Sequence, residues 1–469
     1  MKNSVLFILG IMVIAMTACV NQPARHATDE PFRSVYHQSP AQNWMNDPNG
    51  MFYDDAAHLW HLYYQHNPFG TTWGPMHWAH ATSSDLVHWE QHPIALAPDS
   101  LGTIFSGSIV IDRNNTAGFG ENAIVAIFTQ SEICGQHQSI AYSMDGGMSF
   151  TKYEGNPVLK GDIADFRDPK VCWDELTHRW LMTLACQQEI RFYSSADLKE
   201  WKYESSFGAG YGAHGGVWEC PELLHFEDQY VLLVSLNPGG IFGGSATQYF
   251  VGNWDGHTFT CIDDPEETKW LDYGKDNYST FTWHNAPDGR TVSLGWMSNW
   301  QYANNLPTVA FRSQNTIARD LSLYTDNAGE VRVRVMPSPE SMAIKGKQTN
   351  VLGDAAIVEL ELNGDAVITL SNDQGEQVTM ILDVAAQTFS MDRTSSGDCS
   401  FSPDFAAITT APLFVHHTPY TIYLFIDHCS IEAFDANGYW AMTNLVFPSE
   451  PYSHIEVEGG EATIYDVNI

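Results

Sequence analysis

A short aspartate motif recurs along the chain, and this repeat constrains the fold more than any other feature. Serine or asparagine stands two residues before each aspartate, and phenylalanine or tryptophan follows four or five residues after it; the copies are Asp85, Asp145, Asp197 and Asp255. The copies are 52 to 60 residues apart, with apolar and β-branched runs between them. This pattern is typical of a tight turn between two outer strands of a repeated four-stranded unit.

The repeat predicts an all-β propeller of five blades over residues 34–325. Units of about 55 residues fit into this segment five times. A closed ring of blades also leaves no long strand edge exposed to solvent. The alternative is a β-sandwich in which the aspartate turns recur by coincidence.

The pattern changes after residue 325. An alternation of valine and arginine from Val331 to Val335 ends near Pro337 and Pro339, which indicates a linker or the start of a short helix over residues 326–345. Short strands are then predicted at 356–362, 367–370, 378–382, 420–426 and 430–434. Asn363-Gly364 and Asn437-Gly438 are predicted hairpin turns. Regular short strands predict a β-sandwich domain over residues 346–469.

The N-terminus resembles an export signal. Lys2 precedes an apolar run over residues 5–16 that is too short for a comfortable membrane span. The order Met16-Thr17-Ala18-Cys19 resembles the lipidation site of bacterial lipoproteins. We therefore predict a signal peptide over 1–19, a lipidated Cys19 that anchors the protein to a membrane, and a flexible tether over 20–33. An ordinary signal peptide is the alternative, and either one exports the mature protein.

Charge and cysteine usage exclude several classes of partner. The net charge of −34 repels phosphate backbones, so we expect no nucleic-acid partner. The eight cysteines show no Cys-x-x-Cys pair and no zinc-type spacing, so we expect mostly buried free thiols, with a disulfide as the alternative in an oxidising compartment. His77 and His80 come nearest to a ligand pair, and we expect no metal site there.

Three acidic motifs carry the candidate chemistry. They are Trp44-Met45-Asn46-Asp47-Pro48-Asn49-Gly50, Phe166-Arg167-Asp168-Pro169 and Trp218-Glu219-Cys220-Pro221-Glu222. Pro48 and Asn49-Gly50 predict a stiff, tight turn beside Asp47. Inner strands of a propeller converge on one central funnel, so acids from three blades can meet there. Each motif alone is also compatible with a structural turn or an ion pair.

Sequence neighbours suggest a role for each acid. Glycoside cleavage needs one carboxyl that stays ionised and one that stays protonated. Apolar neighbours raise the pKa of a carboxyl, and hydrogen-bond donors and cations lower it. Glu219, between an indole and a thiol, is therefore the candidate acid, and Asp47, among turn amides, is the candidate nucleophile. Asp168, next to Arg167, suits the binding of sugar hydroxyls.

Taken together, the motifs resemble those of glycoside hydrolase family 32, the β-fructofuranosidases that include invertases, exo-inulinases and levanases. The resemblance runs from about residue 34 to the C-terminus. Besides the three acidic motifs, it rests on Tyr64-Gln65-His66-Asn67-Pro68, Trp73-Gly74-Pro75-Met76-His77-Trp78, Phe105-Ser106-Gly107-Ser108 and Gly295-Trp296-Met297-Ser298-Asn299-Trp300. The family's fold, a five-bladed propeller followed by a β-sandwich, agrees with the fold that the repeat predicts.

The resemblance implies an enzyme that releases terminal fructose from levan, inulin or sucrose with retention of configuration. Asp47 would be the nucleophile, Glu219 the general acid/base, and Asp168 the residue that stabilises the transition state. The implied fructose-binding residues are Trp44, Asn46, Gln65, Trp73, Phe105, Ser106, Arg167 and Trp296. The implied partner is a neutral fructose-containing oligosaccharide or polysaccharide, and no metal or organic cofactor is needed.

Some residues depart from the family pattern. Ala79 stands where glycine is commoner, Ser279 where alanine is usual, and Glu132-Ile133-Cys134 replaces a more polar stretch at the predicted funnel rim. By this resemblance, aspartate at position 47 favours exo attack, because endo-acting inulinases of the family often carry glutamate there. Two other functions stay open: a fructosyltransferase that uses a sugar in place of water, and a surface lipoprotein that binds fructan without cleaving it.

Overall fold

The computed structural model describes residues 30–133 and 135–469. The predicted signal peptide and Cys19 lie outside the described residues, as does most of the predicted tether. Within the described residues, five small, mainly antiparallel sheets precede one nine-stranded sheet. The predicted all-β fold, a five-bladed propeller followed by a β-sandwich, is confirmed. No helix in the described part of the chain is long and apolar enough to cross a membrane.

Each blade of the propeller runs from an inner strand outward. Blade I contains β1 (Asn43–Asp54), β2 (Leu59–Asn67), β3 (His77–Ser83) and β4 (Glu90–Leu96). Blade II contains β5 (Thr103–Asp112), β6 (Ala123–Glu132), β7 (Gly135–Ser143), β8 (Thr151–Lys152) and β9 (Leu159–Lys160). Blade III contains β10 (Phe166–Asp174), β11 (Arg179–Cys186), β12 (Glu189–Ser195) and β13 (Lys202–Phe207).

The last two blades follow the same plan. Blade IV contains β14 (Val217–Phe226), β15 (Gln229–Asn237), β16 (Ala246–Trp254), β17 (Phe259–Cys261) and β18 (Lys269–Trp270). Blade V contains β19 (Tyr278–Thr282), β20 (Thr291–Met297), β22 (Gln314–Asn315), β23 (Arg319–Thr325) and β24 (Val331–Pro337). Between β20 and β22 the chain forms β21 (Phe311–Arg312), which pairs in parallel with β1 and so joins blade V to blade I.

The four predicted aspartate turns all lie between the third and fourth strands of their blades, as the repeat predicts. Asp85 shows how the motif works, because its Oδ1 accepts hydrogen bonds from the backbone N–H groups of Val87 and His88 at 3.0 and 2.8 Å. The turn is therefore held by a side chain that replaces a missing backbone partner.

Blade V carries a fifth copy of this turn, which the sequence pattern does not reveal. Asp326 accepts from the backbone N–H groups of Ala328 and Glu330 at 2.8 and 2.9 Å. The strand after it, β24, is the outer strand of blade V, so this blade extends beyond residue 325, the predicted end of the propeller. The alternating valines and arginines therefore form a propeller strand within the predicted linker over 326–345, and Arg332 is buried there in an ion pair with Asp326 at 2.5 Å.

The two prolines that follow begin a short helix, α1 (Pro339–Ala343), and Ser338 caps it by accepting from the Ser341 N–H at 3.1 Å. The sandwich then comprises β25 (Lys345–Thr349), β26 (Ala356–Ser371), β27 (Gln377–Asp383), β28 (Thr388–Ser395), β29 (Ile408–Pro412), β30 (Tyr420–Asp427), β31 (Ser430–Asp435), β32 (Ala441–Leu445) and β33 (His454–Val467). Short 3₁₀ turns occur at Pro287–Gly289 and Ala303–Asn305.

One predicted hairpin turn in the sandwich is wrong. Asn363-Gly364 lies inside the long strand β26, whose first half pairs with β30 and whose second half pairs with β27. The register against β33 shifts between Leu362 and Val367, so the strand absorbs the extra residues as an irregularity and does not reverse. Asn437-Gly438 does form the predicted turn between β31 and β32, with Gly438 at φ 75°.

Buried ion pairs join the sandwich to the propeller. Arg319 of β23 lies 2.8 Å from Asp272 and also pairs with Glu432 of the sandwich. His37 lies between two sandwich carboxylates, 2.8 Å from Asp427 and 2.7 Å from Glu432. All five side chains are at most 3% exposed. We call these five residues the interdomain ion network.

Candidate active site

A pit opens at the centre of the propeller, with a volume of about 330 Å³. All three predicted acids line it, so Asp47, Asp168 and Glu219 meet although they are far apart in the sequence. Six of the predicted fructose-binding residues line it too: Asn46, Gln65, Trp73, Phe105, Ser106 and Arg167. Its volume is within the usual range for small-molecule sites.

A β-bulge in each inner strand shapes the floor of this pit. The register shifts between Met45 and Pro48, Ile104 and Gly107, Arg167 and Lys170, Glu219 and Glu222, and Tyr278 and Phe281. A bulge inserts an extra residue, bends the strand and re-aims its side chains. Five bulges at corresponding positions of five blades therefore direct one ring of side chains towards the centre.

Asp47 sits in the first bulge and not in a tight turn. Residues on both sides of it belong to β1, so the predicted turn at Pro48 and Asn49-Gly50 is wrong. Its Oδ2 accepts a hydrogen bond from Ser106 Oγ at 2.7 Å, and its buried Oδ1 has no partner in the described structure. Burial raises the pKa of Asp47, the Ser106 hydrogen bond lowers it, and the charge of Glu219 raises it, with a net upward shift.

Asp168 occupies the bulge of β10 with a left-handed backbone, at φ 62°. The backbone N–H of Cys220 donates to its Oδ2 at 3.1 Å. Arg167 is only a distant partner, 4.0 Å away, and so the predicted pairing of these neighbours is weak. Burial raises the pKa of Asp168 against the opposing effect of Arg167, and the charges of Glu219 and Asp47 raise it further.

Glu219 is held by two donors. Arg167 lies 3.0 Å from its Oε1, and the hydroxyl of Tyr278 donates to its Oε2. The predicted apolar setting of Glu219 is not present. The indole of its neighbour Trp218 packs into the core and donates to the Ala213 carbonyl at 2.8 Å. Adjacent residues of a strand point to opposite faces, and this separates the two side chains.

Glu222, the second glutamate of this motif, is structural. It pairs with Lys170 at 2.8 Å, and both side chains are at most 10% exposed. Lys170 also donates to the carbonyl of Thr282 at 2.8 Å, and Glu222 accepts from the Thr282 N–H at 2.8 Å. This cluster ties together the inner strands of blades III, IV and V beyond the bulges.

Behind the pit, a chain of contacts runs from Ser279 through Cys220 to Asp47 and Asp168. Ser279 donates to the Sγ of Cys220 at 3.1 Å, and that sulfur lies 3.7 Å from Asp47 Oδ2 and 3.6 Å from Asp168 Oδ2. Burial and the nearby carboxylates raise the pKa of the Cys220 thiol, so the thiol stays neutral. A neutral thiol is a weak hydrogen-bond donor, and its distances to Asp47 and Asp168 place it between the two aspartates.

Some of the remaining predicted residues line the pit, and others are buried behind it. The Nε2 of Gln65 is buried without a partner among the described residues, which leaves a donor for a sugar hydroxyl. Trp73 is 47% exposed at the rim and makes an edge contact with Phe105. Trp44 and Trp296 were predicted to bind fructose, but both are fully buried and neither lines the pit. Their packing partner Trp300 lines the pit instead.

Several site residues were missed in the sequence analysis. They are Met76, Gln136, Asp165, Asn237, Tyr278 and Trp300. Met76 and Trp300 belong to motifs that the sequence analysis quotes. The motifs alone do not show which of their residues face the pit. Asp165 and Tyr278 act through their bonds to Arg167 and Glu219, which no local pattern predicts.

This arrangement suits acid/base and nucleophilic chemistry on a neutral sugar. Arg167 is already occupied by Glu219 and by Asp165, which lies 2.5 Å away, so it offers no free charge for an anionic group. The histidine pair considered in the sequence analysis is split: His77 contacts the Pro75 carbonyl and His80 contacts His61. No cluster of three potential metal ligands occurs in residues 30–133 or 135–469.

Known proteins resemble this chain in sequence and in structure. Residues 37–334 match the Glycosyl hydrolases family 32 N-terminal domain, and residues 323–469 match the Glycosyl hydrolases family 32 C terminal domain. The levanase of Bacillus subtilis is 39% identical over 97% of this chain and 73% of the levanase. The extracellular exo-inulinase of Meyerozyma guilliermondii is 37% identical over 93% of this chain and 94% of its own. The fructofuranosidase of Schwanniomyces occidentalis, solved with fructose, has a TM-score of 0.86 at 33% identity and covers 94% of this chain and 99% of its own.

Proposed function

Since the chain belongs to glycosyl hydrolase family 32, we propose that its central pit releases terminal β-D-fructofuranosyl units by a retaining double displacement. The chain is a glycosidase whose substrates are fructans and sucrose, as the relatives named levanase and exo-inulinase indicate. The observation that carries the proposed mechanism is the convergence of Asp47, Asp168 and Glu219 on one pit.

In the first step, Asp47 attacks the anomeric carbon of the terminal fructose. Its Oδ1 is the attacking atom, because Oδ2 is bonded to Ser106 and Oδ1 has no protein partner in the described structure. The glycosidic C–O bond breaks as Glu219 gives its proton to the departing oxygen. A fructosyl ester on Asp47 results, and the leaving sugar departs with its hydroxyl complete.

In the second step, water replaces the leaving sugar. Glu219, now a carboxylate, takes a proton from this water while the remaining hydroxide attacks the same carbon. The bond to Asp47 breaks, and both carboxyl groups return to their starting states. Two inversions at one carbon give net retention.

Asp168 and the polar wall hold the sugar during both steps. The unpartnered Gln65 Nε2 and the carboxylate of Asp168 can bind ring hydroxyls, and Trp73 and Phe105 offer aromatic faces. These contacts position the furanose ring against Asp47, and a fixed position supplies much of the rate enhancement.

The shape of the site favours exo attack. The bulges form a floor, and the buried Lys170–Glu222 pair lies beyond it, so the pit is closed at its inner end. A closed pit accepts a chain end, whereas internal cleavage requires that the chain pass on in both directions.

Relatives named as extracellular support export of this chain as well. We further propose that Cys19 carries a lipid anchor, for which the sequence Met16-Thr17-Ala18-Cys19 is the support. Labelling of growing cells with a fatty-acid analogue tests the anchor. The label is expected on the unmodified protein and absent from Cys19→Ser, and an unlabelled mature protein would contradict the anchor without touching the enzymatic proposal.

Product analysis tests the enzymatic proposal. NMR of a freshly started reaction with inulin or levan is expected to show free fructose, first as the β-anomer. No short oligosaccharides from the interior of the chain should be released. The α-anomer as first product would contradict double displacement. Internal fragments would contradict exo attack, and growing oligosaccharides at high sucrose would indicate a transferase.

A further inference from the structure

The chain between β18 and β19 lies along the edge of the sandwich. Residues 273–277 of this connection are all buried. The backbone N–H of Tyr273 donates to the Ala441 carbonyl at 2.8 Å, and that of Asp276 donates to the Thr443 carbonyl at 3.1 Å. Both carbonyls belong to β32, the last strand of the sandwich sheet, so the propeller segment extends that sheet. We call residues 273–277 the docked segment.

The two backbones of this contact approach each other very closely. A Cβ atom at Gly274 would lie 2.0 Å from the carbonyl oxygen of Thr443 and 2.2 Å from its nitrogen. Only glycine fits here, because any side chain would push the docked segment away from β32. The place of the segment is therefore set by the sandwich.

A buried arginine of the sandwich holds the side chain of Asp276. The guanidinium of Arg393, in β28, pairs with this carboxylate, and both side chains are at most 1% exposed. Arg393 also donates to the Leu445 carbonyl at 3.0 Å and to the Tyr302 hydroxyl at 2.9 Å. The Tyr302 hydroxyl donates to Asp276 at 2.6 Å, and the Leu445 N–H donates to it at 2.8 Å. Donors from both domains thus fix this carboxylate.

The docked segment leads directly into the active site. Tyr278, the first residue of β19, follows two residues after Asp276, and its hydroxyl donates to Oε2 of Glu219. Asn277 stands between them, and its Oδ1 accepts from the Thr280 hydroxyl at 2.8 Å. A displacement of Asp276 would therefore move the backbone from which Tyr278 reaches Glu219.

We propose that Arg393 of the sandwich is a positioning residue for the reaction. Through Asp276 and Tyr278, it sets the orientation in which Glu219 meets the departing oxygen, although Arg393 itself touches no substrate. The inference rests on the proposed function, because it takes Glu219 as the group that protonates this oxygen. It makes the sandwich a part of the catalytic apparatus as well as a support for the propeller.

The dependence of the rate on the leaving group tests this role. Sucrose needs a proton on its departing oxygen, whereas β-fructosyl fluoride releases fluoride without one. The measured quantity is the ratio of kcat/KM on sucrose to kcat/KM on β-fructosyl fluoride in one preparation, so any loss of folded enzyme cancels. Glu219→Ala is the reference and should lower this ratio the most, by roughly 10³-fold.

Arg393→Lys keeps a positive charge beside Asp276 but loses the forked donor geometry. The ratio should fall roughly tenfold, less than the hundredfold that a misplacement of about 1 Å can cost. The matched control is Arg332→Lys. Each arginine pairs with a buried aspartate and lies over a sandwich phenylalanine ring, Arg393 at 4.0 Å and Arg332 at 3.9 Å. The polar bonds of Arg332 go to Asp326 and Glu267, so its variant should keep the original ratio.

A milder variant removes a single hydroxyl from the same cluster. Tyr302→Phe should lower the ratio about threefold, the size of one lost hydrogen bond. Its control is Tyr324→Phe, because the Tyr324 hydroxyl donates to the Tyr439 carbonyl of the sandwich at 2.9 Å, away from the docked segment. If Arg393→Lys yields no folded enzyme, this pair of variants decides the question alone.

A double variant tests the route through Tyr278. Tyr278→Phe removes the hydroxyl that reaches Glu219, and it should lower the ratio by itself. In that background Arg393→Lys should lower the ratio no further, because both changes act on one contact. Two losses that multiply would show that Arg393 does not act through Tyr278.

An unchanged ratio in Tyr302→Phe and in folded Arg393→Lys would overturn the positioning role, and so would equal losses in the two controls. Neither result touches the proposed function. A Glu219→Ala enzyme that kept the original ratio would instead refute the proposed function, because Glu219 would then not be the acid.

Discussion

The pit and the interdomain ion network both bury carboxylates, but they shift the pKa values of these carboxylates in opposite directions. Four carboxylates and one guanidinium, that of Arg167, line the pit, whereas the network places Arg319 and His37 among Asp272, Asp427 and Glu432. Burial raises the pKa of Asp47 and Asp168. Cationic partners outweigh burial at Asp427 and Glu432, and the pKa of each is lowered.

The difference separates function from stability. Carboxylates with raised pKa values are poised for proton transfer and nucleophilic attack, and the fold holds them there at an energetic cost. Carboxylates with nearby cations are locked in one charge state. They fix how the sandwich meets the propeller, because removal of any partner would leave a buried charge unpaired.

The largest expected effect is on activity. Asp47→Asn keeps the shape of the side chain but removes the nucleophile, so kcat/KM on sucrose should fall by roughly 10⁴-fold or more. The thermal midpoint should stay the same or rise, because one of the clustered negative charges is gone. Steady-state rates and thermal denaturation of the same preparation measure both effects. A large drop in the thermal midpoint would contradict the claim that the pit carboxylates serve function and not stability.

The complementary change in the network should affect stability. Arg319→Met removes the cation shared by Asp272 and Glu432, and we expect a loss of about 3 to 5 kcal/mol in the free energy of unfolding. The control is Arg113→Met, which breaks an exposed pair with Asp55 and should cost less than about 1 kcal/mol. Denaturant titration measures both, and equal losses in the two variants would show that burial of the network contributes nothing.

The network also predicts a pH dependence. Burial lowers the pKa of His37, but its bonds to Asp427 and Glu432 outweigh burial and raise it to about 9. A raised pKa means that the folded state holds the proton more tightly, so this stabilisation is complete below about pH 6.5 and is lost as the pH rises through 9. The lowered pKa values of Asp427 and Glu432 add stability that is lost only in acid, as the pH falls through those values.

Unfolding free energies of the unmodified protein and of His37→Gln, measured between pH 6 and 9.5, test this dependence. The unmodified protein should lose up to about 3 kcal/mol across that range. His37→Gln should be less stable at pH 6 and show a shallower slope. Parallel curves for the two proteins would exclude His37 as the titrating group.

A smaller effect is expected when the pit loses a donor. Ser106 lowers the pKa of Asp47, so Ser106→Ala should raise it and move the acid limb of the kcat/KM profile to higher pH. The shift should be on the order of one pH unit, the size of a single hydrogen-bond contribution of about 1.4 kcal/mol. Ser108→Ala in the same strand, where the hydroxyl donates to the Pro169 carbonyl, is the control and should not move that limb.

The fold was largely predictable from the sequence because its determinants are local. Four aspartate turns repeat with their neighbours, and each is held by bonds within a few residues. The fifth, at Asp326, was missed because it lacks the flanking serine and aromatic residue. The turn predicted at Asn363-Gly364 was wrong because the sequence of such a pair does not show whether neighbouring strands hold it in an extended conformation, as they do here.

The acids of the site were predictable too, but their surroundings were not. Each acid stands in a conspicuous motif, yet the groups that contact it come from other blades: Ser106 for Asp47, and Tyr278 for Glu219. The expected apolar setting of Glu219 was wrong because strand neighbours face away from each other. The sequence could not show that Trp300 lines the pit while Trp44 and Trp296 do not, because this depends on the packing that buries the last two.

The most direct test of the central claim is to trap the intermediate in the pit. Glu219→Ala, supplied with β-fructosyl fluoride, whose leaving group needs no proton, should form the fructosyl ester and hydrolyse it slowly. Mass spectrometry of the quenched protein should find one fructosyl unit on the peptide that contains Asp47. A fructosyl unit on a different carboxylate, or an unlabelled enzyme that still turns over the fluoride, would contradict the claim that Asp47 and Glu219 act on one sugar.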